Sequence, residues 1–343
     1  MDFPREHLSH LNISDFDYEL PKPLIAQTPL EPRDESRLLV LNRSQQSLSH
    51  GHTFKEIIHY LNPGDLLIFN DSRVLSSRLQ GINNQTGAAV ELILINRITD
   101  GTWRCLGKPG RRLREGSSLT LQKGELNCNA EIIESLSNGY KLIRFDEESK
   151  LPYIGSIPLP PYIRKPISDP ERYQTIYSKN PGSIAAPTAG LHFTTRLLNS
   201  LTDSEVEMAF TTLHIGPGTF RPVTVENPLE HYMEPEFFEL NKSTVDKINL
   251  AKKDGRRVIC VGTTSMRTLE YAALQTLNPE NCPSHNFRHN NLSATTGWAD
   301  LMILPGHKFL IADGLITNFH LPRSTLFMLV TAFGGKPLIS QAY

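Results

Sequence analysis

The pattern of apolar and polar positions changes character twice along the chain. In the first stretch, RLLVL (37–41) and LLIF (66–69) are compact apolar runs that read as buried strands. FKEIIHYL (54–61) has helical spacing and stops at Asn62-Pro63-Gly64. From about Arg78 to Leu151 the text breaks into short strands with turn signals: Ala89–Ile95, Thr102–Cys105, Ser118–Gln122, Asn129–Glu134 and Tyr140–Phe145. Leu119 and Leu121 alternate with Thr120 and Gln122, and Asn138-Gly139 supplies a turn. Short strands in series with no good helix predict a small barrel or sandwich. From Pro152 onward strands and helices alternate. VICV (258–261) leads through a short loop to a helix over Met266–Thr276, and a second such unit covers Leu310–Phe319 and Ser324–Phe333. The expected fold class is α/β: a mostly parallel-sheet domain made from residues 1–77 and 152–343, with a small antiparallel β-barrel domain inserted as residues 78–151. Such an insertion requires its two ends to lie close together.

The length of 343 residues agrees with about two domains. Lys+Arg (35) and Asp+Glu (36) nearly cancel, giving a net charge of −1, which excludes a basic tail-binder and an acidic disordered chain. A nucleic-acid partner stays open, because one basic face can hide in a neutral total. The longest apolar run, Leu326–Phe333, is far short of the ~20 residues of a spanning helix, and MDFPREHLSHLNISD has no apolar signal-peptide core. A cytoplasmic protein with no membrane partner is expected. Cys105, Cys128, Cys260 and Cys282 form no CxxC pair, and His285 and His289 lack an acidic third ligand, so no metal site is expected.

The common nucleotide fingerprints are absent. Gly216-Pro217-Gly218 begins like GxGxxG, but Arg221 stands where the third glycine belongs, and Gly101–Lys108 fails as a P-loop at Pro109. Other segments carry candidate chemistry. GTTSMRTLE (262–270) follows an apolar strand with a glycine and three hydroxyls, Thr263, Thr264 and Ser265, which suit a carboxylate or phosphate but equally suit helix capping. AAPTAGLHFT (185–194) offers Gly190 for close backbone approach, Thr188 as a helix cap and His192 beyond it; a tight turn with a packed histidine is the alternative. TTLHIGPGTFRPV (211–223) puts His214 at a strand end and Arg221 on the exit, where Arg221 is either a bidentate anion donor or a surface residue. TNFHLPRSTL (317–326) sets Asn318 and His320 before Ser324, itself a natural cap. NDSR (70–73) ends the LLIF strand with Asp71 and Arg73, a structural ion pair or a base held by its partner. Arg104, Lys108, Arg111, Arg112 and Arg114 crowd one acid-free turn loop, either a solvated loop or a phosphate-binding one.

Together these motifs resemble the S-adenosylmethionine:tRNA ribosyltransferase-isomerase family of queuosine biosynthesis. The resemblance also rests on FDYELP (16–21), LIAQTPLEPRDESRLLVL (24–41), LPPYIRKP (159–166), ERYQTIYSKNPGS (171–183) and HYMEPEFFEL (231–240), and the matching segments run in order over almost the whole chain. It implies an α/β domain with an inserted barrel and a monomer. It also implies an enzyme that moves and isomerises the ribosyl part of S-adenosylmethionine onto 7-aminomethyl-7-deazaguanine at the tRNA wobble position. The products are epoxyqueuosine tRNA, adenine and methionine. S-adenosylmethionine is then a consumed substrate, and no cofactor is expected. On this reading His192, His214, His320 and the pair Asp71–Arg73 are acid/base candidates. Thr188, Gly190, Arg221, Thr263, Thr264, Ser265, Arg267 and Asn318 are substrate-binding candidates, and Lys108, Arg111, Arg112 and Arg114 hold tRNA phosphates. Met266 stands where relatives often carry valine. The family pattern continues past the last apolar helix, where this sequence reads Gln341-Ala342-Tyr343, and a tail there is expected to help close the site. A non-catalytic RNA-binding protein and an S-adenosylmethionine-dependent methyltransferase are the competing readings; the second wants a glycine-rich loop after its first strand. Neutralising Arg111, Arg112 and Arg114 should weaken tRNA binding and flatten its salt dependence. Binding measured across a salt series checks this, and an unchanged slope rejects the loop assignment.

Overall fold

The computed structural model of the protein describes residues 11–220, 222–276 and 291–343. Arg221, Cys282, His285 and His289 lie outside the described residues. After three short 3₁₀ turns, β1 (Leu38–Asn42) and β2 (Ser47–Gly51) form a hairpin. RLLVL is therefore a half-buried strand beside the main sheet, not a buried strand within it, because β1 pairs with β2 alone. FKEIIHYL winds as a tighter 3₁₀ helix over Phe54–Tyr60, started by a Thr53/Glu56 capping box. β3 (Leu66–Asn70) is buried throughout. Leu66 and Ile68 enter one core and Leu67 and Phe69 the other, so its unbroken apolar run reflects a central strand covered on both faces. A short β4 (Ser72–Val74) follows.

Next comes the barrel: β5 (Arg78–Asn83), β6 (Ala89–Thr99), β7 (Thr102–Lys108), β8 (Ser118–Lys123), β9 (Leu126–Ser135) and β10 (Tyr140–Phe145). They close in the order β10-β7-β6-β5-β8-β9, every pair antiparallel. The hydrophobic pattern missed β5, because Gly81 interrupts its alternation. That glycine is what closure needs: a Cβ there would lie 2.3 Å from the Thr120 carbonyl oxygen of β8. Leu79, Leu92, Cys105, Leu119, Leu121 and Ile143 fill the interior, and α1 (Leu151–Ile154) adds Leu151 and Ile154 to the same core. The chain enters and leaves the barrel at one point, where Arg78 and Ser156 exchange backbone hydrogen bonds of 3.0 and 2.9 Å.

The remaining elements are β11 (Asn180–Ser183), α2 (Thr195–Asp203), β12 (Glu207–Leu213), β13 (Glu236–Leu240), α3 (Lys242–Lys253), β14 (Val258–Val261), α4 (Thr263–Thr276), β15 (Thr295–Ala299), β16 (Gly314–Ile316), α5 (Thr325–Gly334) and α6 (Lys336–Ala342). The main sheet runs β15-β13-β12-β3-β14-β16. β12, β3, β14 and β16 are parallel, and β13 and β15 add an antiparallel edge. The sheet is thus mostly parallel, with helices, as the sequence pattern predicts. Helix α4 starts directly after Gly262, so the expected loop before Met266 does not exist and Thr263, Thr264 and Ser265 form its first turn. No described helix is long and apolar enough to cross a membrane.

The stretch Leu310–Phe319 yields only the short β16, because its first residues bond elsewhere. The backbone N–H groups of Leu310, Ile311 and Ala312 donate to the buried carboxylate of Glu270 in α4, at 2.7, 3.0 and 3.0 Å. One acid thus holds the segment that feeds β16 and the Asn318/His320 loop. Glu270→Ala strands those donors and should cost about 3 kcal/mol in urea unfolding. A loss below about 0.5 kcal/mol would show that the segment is held by other means.

Candidate functional site

The parallel strands end at one edge, and four of the singled-out motifs follow their carboxyl ends: Asp71 after β3, His214 after β12, Gly262 after β14 and Asn318 after β16. Ligands in open α/β sheets bind outside this edge. Asn70 ends β3 and opens the crevice. Its Nδ2 donates to the Leu213 carbonyl (3.0 Å), and its Oδ1 accepts from the N–H groups of Leu213 and Ser72, both at 3.0 Å. Beyond it the chain leaves β12 and pairs through β4 with β11. In the gap, Asp71 accepts from Thr212 Oγ1 (2.7 Å) and from Asn180 Nδ2 (3.1 and 3.2 Å). Asp71 does not pair with Arg73 as expected. The guanidinium of Arg73 is turned to Glu171 and to Ser178 Oγ (2.9 Å), which makes it an anchor for the 171–178 loop.

The three histidines differ in which ring nitrogens are committed. His192 bonds Ser36 Oγ through Nδ1 (2.8 Å) and Asn318 Oδ1 through Nε2 (2.7 Å). Since Oδ1 only accepts, Nε2 carries the proton, and the ring is a neutral strut between the 33–36 turn and the loop after β16. His320 meets Thr317 Oγ1 (3.2 Å) through Nε2 and the Tyr343 hydroxyl (3.2 Å) through Nδ1, and burial lowers its pKa to about 4. His214 alone keeps a buried ring nitrogen, Nδ1, without a hydrogen-bond partner among the described residues. Burial lowers its pKa, while the charge of Asp71 acts in the opposite direction. Gly182 makes room for this ring, since a Cβ there would lie 2.6 Å from Nε2.

The hydroxyl cluster separates in the same way. Ser265 Oγ donates to the Val261 carbonyl (2.9 Å) and is fully buried, so it serves the helix. Thr264 Oγ1 is buried without a partner among the described residues and lies beside Gly262. The first-turn N–H groups of α4 have no intrahelical acceptor, so this end of the helix favours an anion. Arg267 is not the free donor expected. Its Nη1 meets Glu236 Oε2 at 2.5 Å, and its other nitrogens reach the carbonyls of Leu301 and Ala299, both at 3.3 Å. Glu236 in turn accepts from the Gly216 N–H (2.8 Å) and Thr219 Oγ1 (2.9 Å). The buried pair therefore fixes the turn that follows His214. Thr188 opens a 3₁₀ turn and does not cap α2, whose cap is Thr194. The close approach that Gly190 permits is to the Tyr177 hydroxyl, which would lie 2.0 Å from a Cβ.

The basic loop leaves the barrel at the end of β7. Lys108, Arg111, Arg112 and Arg114 are all exposed, while Arg104 is held over the ring of Tyr140 (4.8 Å). The Tyr140 hydroxyl bonds Glu234 (2.5 Å), and Glu234 packs against Gly218, in the turn after His214. The barrel is thereby tied to the turn beside the crevice. Sequence reasoning missed Ser36, Asn180, Thr212 and Glu236. All four lie in segments already singled out along the chain, Ser36, Asn180 and Glu236 among those that carried the resemblance and Thr212 beside His214, but their roles depend on strand pairing and on contacts far away in sequence.

The sequence pattern of the family described as queuosine biosynthesis protein matches residues 13–343. An S-adenosylmethionine:tRNA ribosyltransferase-isomerase of Staphylococcus epidermidis is 48% identical over 337 residues, covering 97% of this chain and 94% of that one. One from Dehalococcoides mccartyi is 48% identical over 335 residues with the same coverage. A crystal structure of an S-adenosylmethionine tRNA ribosyltransferase from Thermotoga maritima is 34% identical, covers 96% of this chain and 92% of that one, and superposes with a TM-score of 0.51.

The unfolded form of His320 takes up a proton near pH 6.5 and the folded form only near 4. Its contribution to stability is therefore complete above pH 6.5 and is lost as pH falls from there toward 4. By pH 5 this amounts to about 2 kcal/mol. His320→Asn should flatten that part of the urea-midpoint profile between pH 7.5 and 5; a profile of unchanged slope would contradict the half-buried neutral ring.

Proposed function

The chain belongs to the queuosine biosynthesis protein family, and on that premise we propose that it is an S-adenosylmethionine:tRNA ribosyltransferase-isomerase. It transfers and isomerises the ribosyl group of S-adenosylmethionine onto the aminomethyl nitrogen of 7-aminomethyl-7-deazaguanine in tRNA. The reaction uses no resident cofactor, and the protein works as a monomer in the cytoplasm. The single observation that carries the site assignment is His214, a histidine with an uncommitted ring nitrogen, beside Asp71 in the crevice.

The sulfonium acidifies the adjacent ribosyl carbon, and His214 removes a proton from it. Asp71, held by Thr212 and Asn180, supports the imidazolium that forms. The neutral aminomethyl nitrogen loses a proton and forms the new C–N bond at the carbon that the sugar-ring oxygen releases. The deprotonated carbon joins the carbon that adenine leaves, the released oxygen closes the epoxide as methionine departs with the C–S electron pair, and adenine leaves carrying a proton. Thr264 and the start of α4 receive the methionine carboxylate. His192 and Asn318 position the opposite wall. The exposed Lys108, Arg111, Arg112 and Arg114 hold tRNA phosphates.

Incubation with S-adenosylmethionine and tRNA bearing the aminomethyl base should release adenine and methionine together. Release of S-adenosylhomocysteine would establish a methyltransferase instead, and RNA binding without turnover a non-catalytic binder. His214→Ala should lower turnover about 10²–10⁴-fold. The acid limb of kcat/KM should lie below pH 6.5, and Asp71→Asn should move it lower still, because the carboxylate favours the protonated ring. A limb that Asp71→Asn leaves in place would remove His214 as the base.

A further inference from the structure

A row of rings leads from His214 to the open edge of the main sheet. The His214 backbone N–H donates to the Phe237 carbonyl (2.9 Å), and Phe237 of β13 lies opposite Trp298 of β15. The three side chains therefore stand on one face of neighbouring strands. His214 stacks on Phe237 with centroids 5.6 Å apart and planes at 22°, and Phe237 meets Trp298 at 5.7 Å and 74°. The opposite face is closed, with Phe238, Leu240 and Ala299 buried and Phe238 set edge-on against Tyr271 of α4. The row itself faces outward: Trp298 is 53% exposed, at the end strand of the sheet. Beside it, on the same face, the exposed Glu239 lies opposite the exposed Thr296.

These features select one kind of occupant. A flat ring stacks on an indole, as unpaired bases do on aromatic side chains. A carboxylate beside the stack repels phosphate and accepts N–H groups, which the exposed edge of an unpaired base supplies. Continuity with His214 makes the occupant part of the molecule that reacts there. We propose that Trp298, backed by Phe237 and flanked by Glu239, is a stacking platform for an unpaired base of the RNA substrate, adjacent to the nucleotide that reacts at His214. This rests on the reading of the chain as a tRNA-modifying enzyme.

The chain has two tryptophans. Trp103 donates to Glu148 in the barrel (2.7 Å), far along the sequence from the row. An anticodon stem-loop RNA with guanine at the wobble position, titrated into the protein, should quench indole emission. The quenching should survive Trp103→Phe and vanish in Trp298→Phe. Trp298→Ala should weaken RNA binding about tenfold, with most of the loss recovered in Trp298→Phe. The KM for S-adenosylmethionine should not move. An unchanged RNA affinity in Trp298→Ala, or quenching that belongs to Trp103, overturns the platform. A rise in the KM for S-adenosylmethionine alone also overturns it and gives the row to that substrate's adenine. If the unsubstituted protein neither binds the stem-loop nor turns over S-adenosylmethionine with modified tRNA, the underlying functional reading falls. If it does both while Trp298 is indifferent, only the platform falls.

Discussion

The crevice exists because two parallel strands stop pairing at one residue. The Asn70 carboxamide donates to and accepts from the backbone of Leu213, and also takes the N–H of Ser72. An amide does this well, since it offers a donor and an acceptor to strand groups that would otherwise be buried and unpaired. Once β3 turns away from β12, Asp71 and His214 are left facing one gap. Asn180 and Gly182, carried in by β11, complete its wall. An apolar residue at position 70 would leave those backbone groups unpaired in a dry core.

Around that opening, buried polar groups decide which side chains are free to act. Glu236 absorbs Arg267 and the turn after His214. Ser36 and Asn318 absorb His192. Tyr343 and Thr317 absorb His320. What is left is a histidine beside a carboxylate, a threonine hydroxyl and a helix terminus, a small set of convergent polar groups at a sheet edge. The committed residues hold this set still, and a preorganised site needs that.

Part of this was legible along the chain. The unbroken LLIF and VICV runs marked central strands, and the turn-rich middle marked the barrel, because burial on two faces and on one face leave different periodicities. β5 escaped, since the glycine that permits barrel closure also erases the alternation. The absence of an Asp71–Arg73 pair has a related cause. Residues two apart along a strand invite a local pairing, but the partners of Asp71 come from β11 and β12 and those of Arg73 from the 171–178 loop. Arg267 reads locally as a free donor in the first turns of a helix at the ligand edge, and nothing local reveals a glutamate on a neighbouring strand.

The sequence by itself determined the two central strands, most of the barrel, the fold class, the family and the segments that carry function, because periodicity, turn chemistry and ordered motifs are local properties. Only the tertiary structure decided which residues in those segments are available. That depends on hydrogen-bond partners far away in the chain, such as Ser36 for His192 and Glu236 for Arg267. A buried polar group must be paired, so the fold assigns most candidates to each other and leaves few for a substrate.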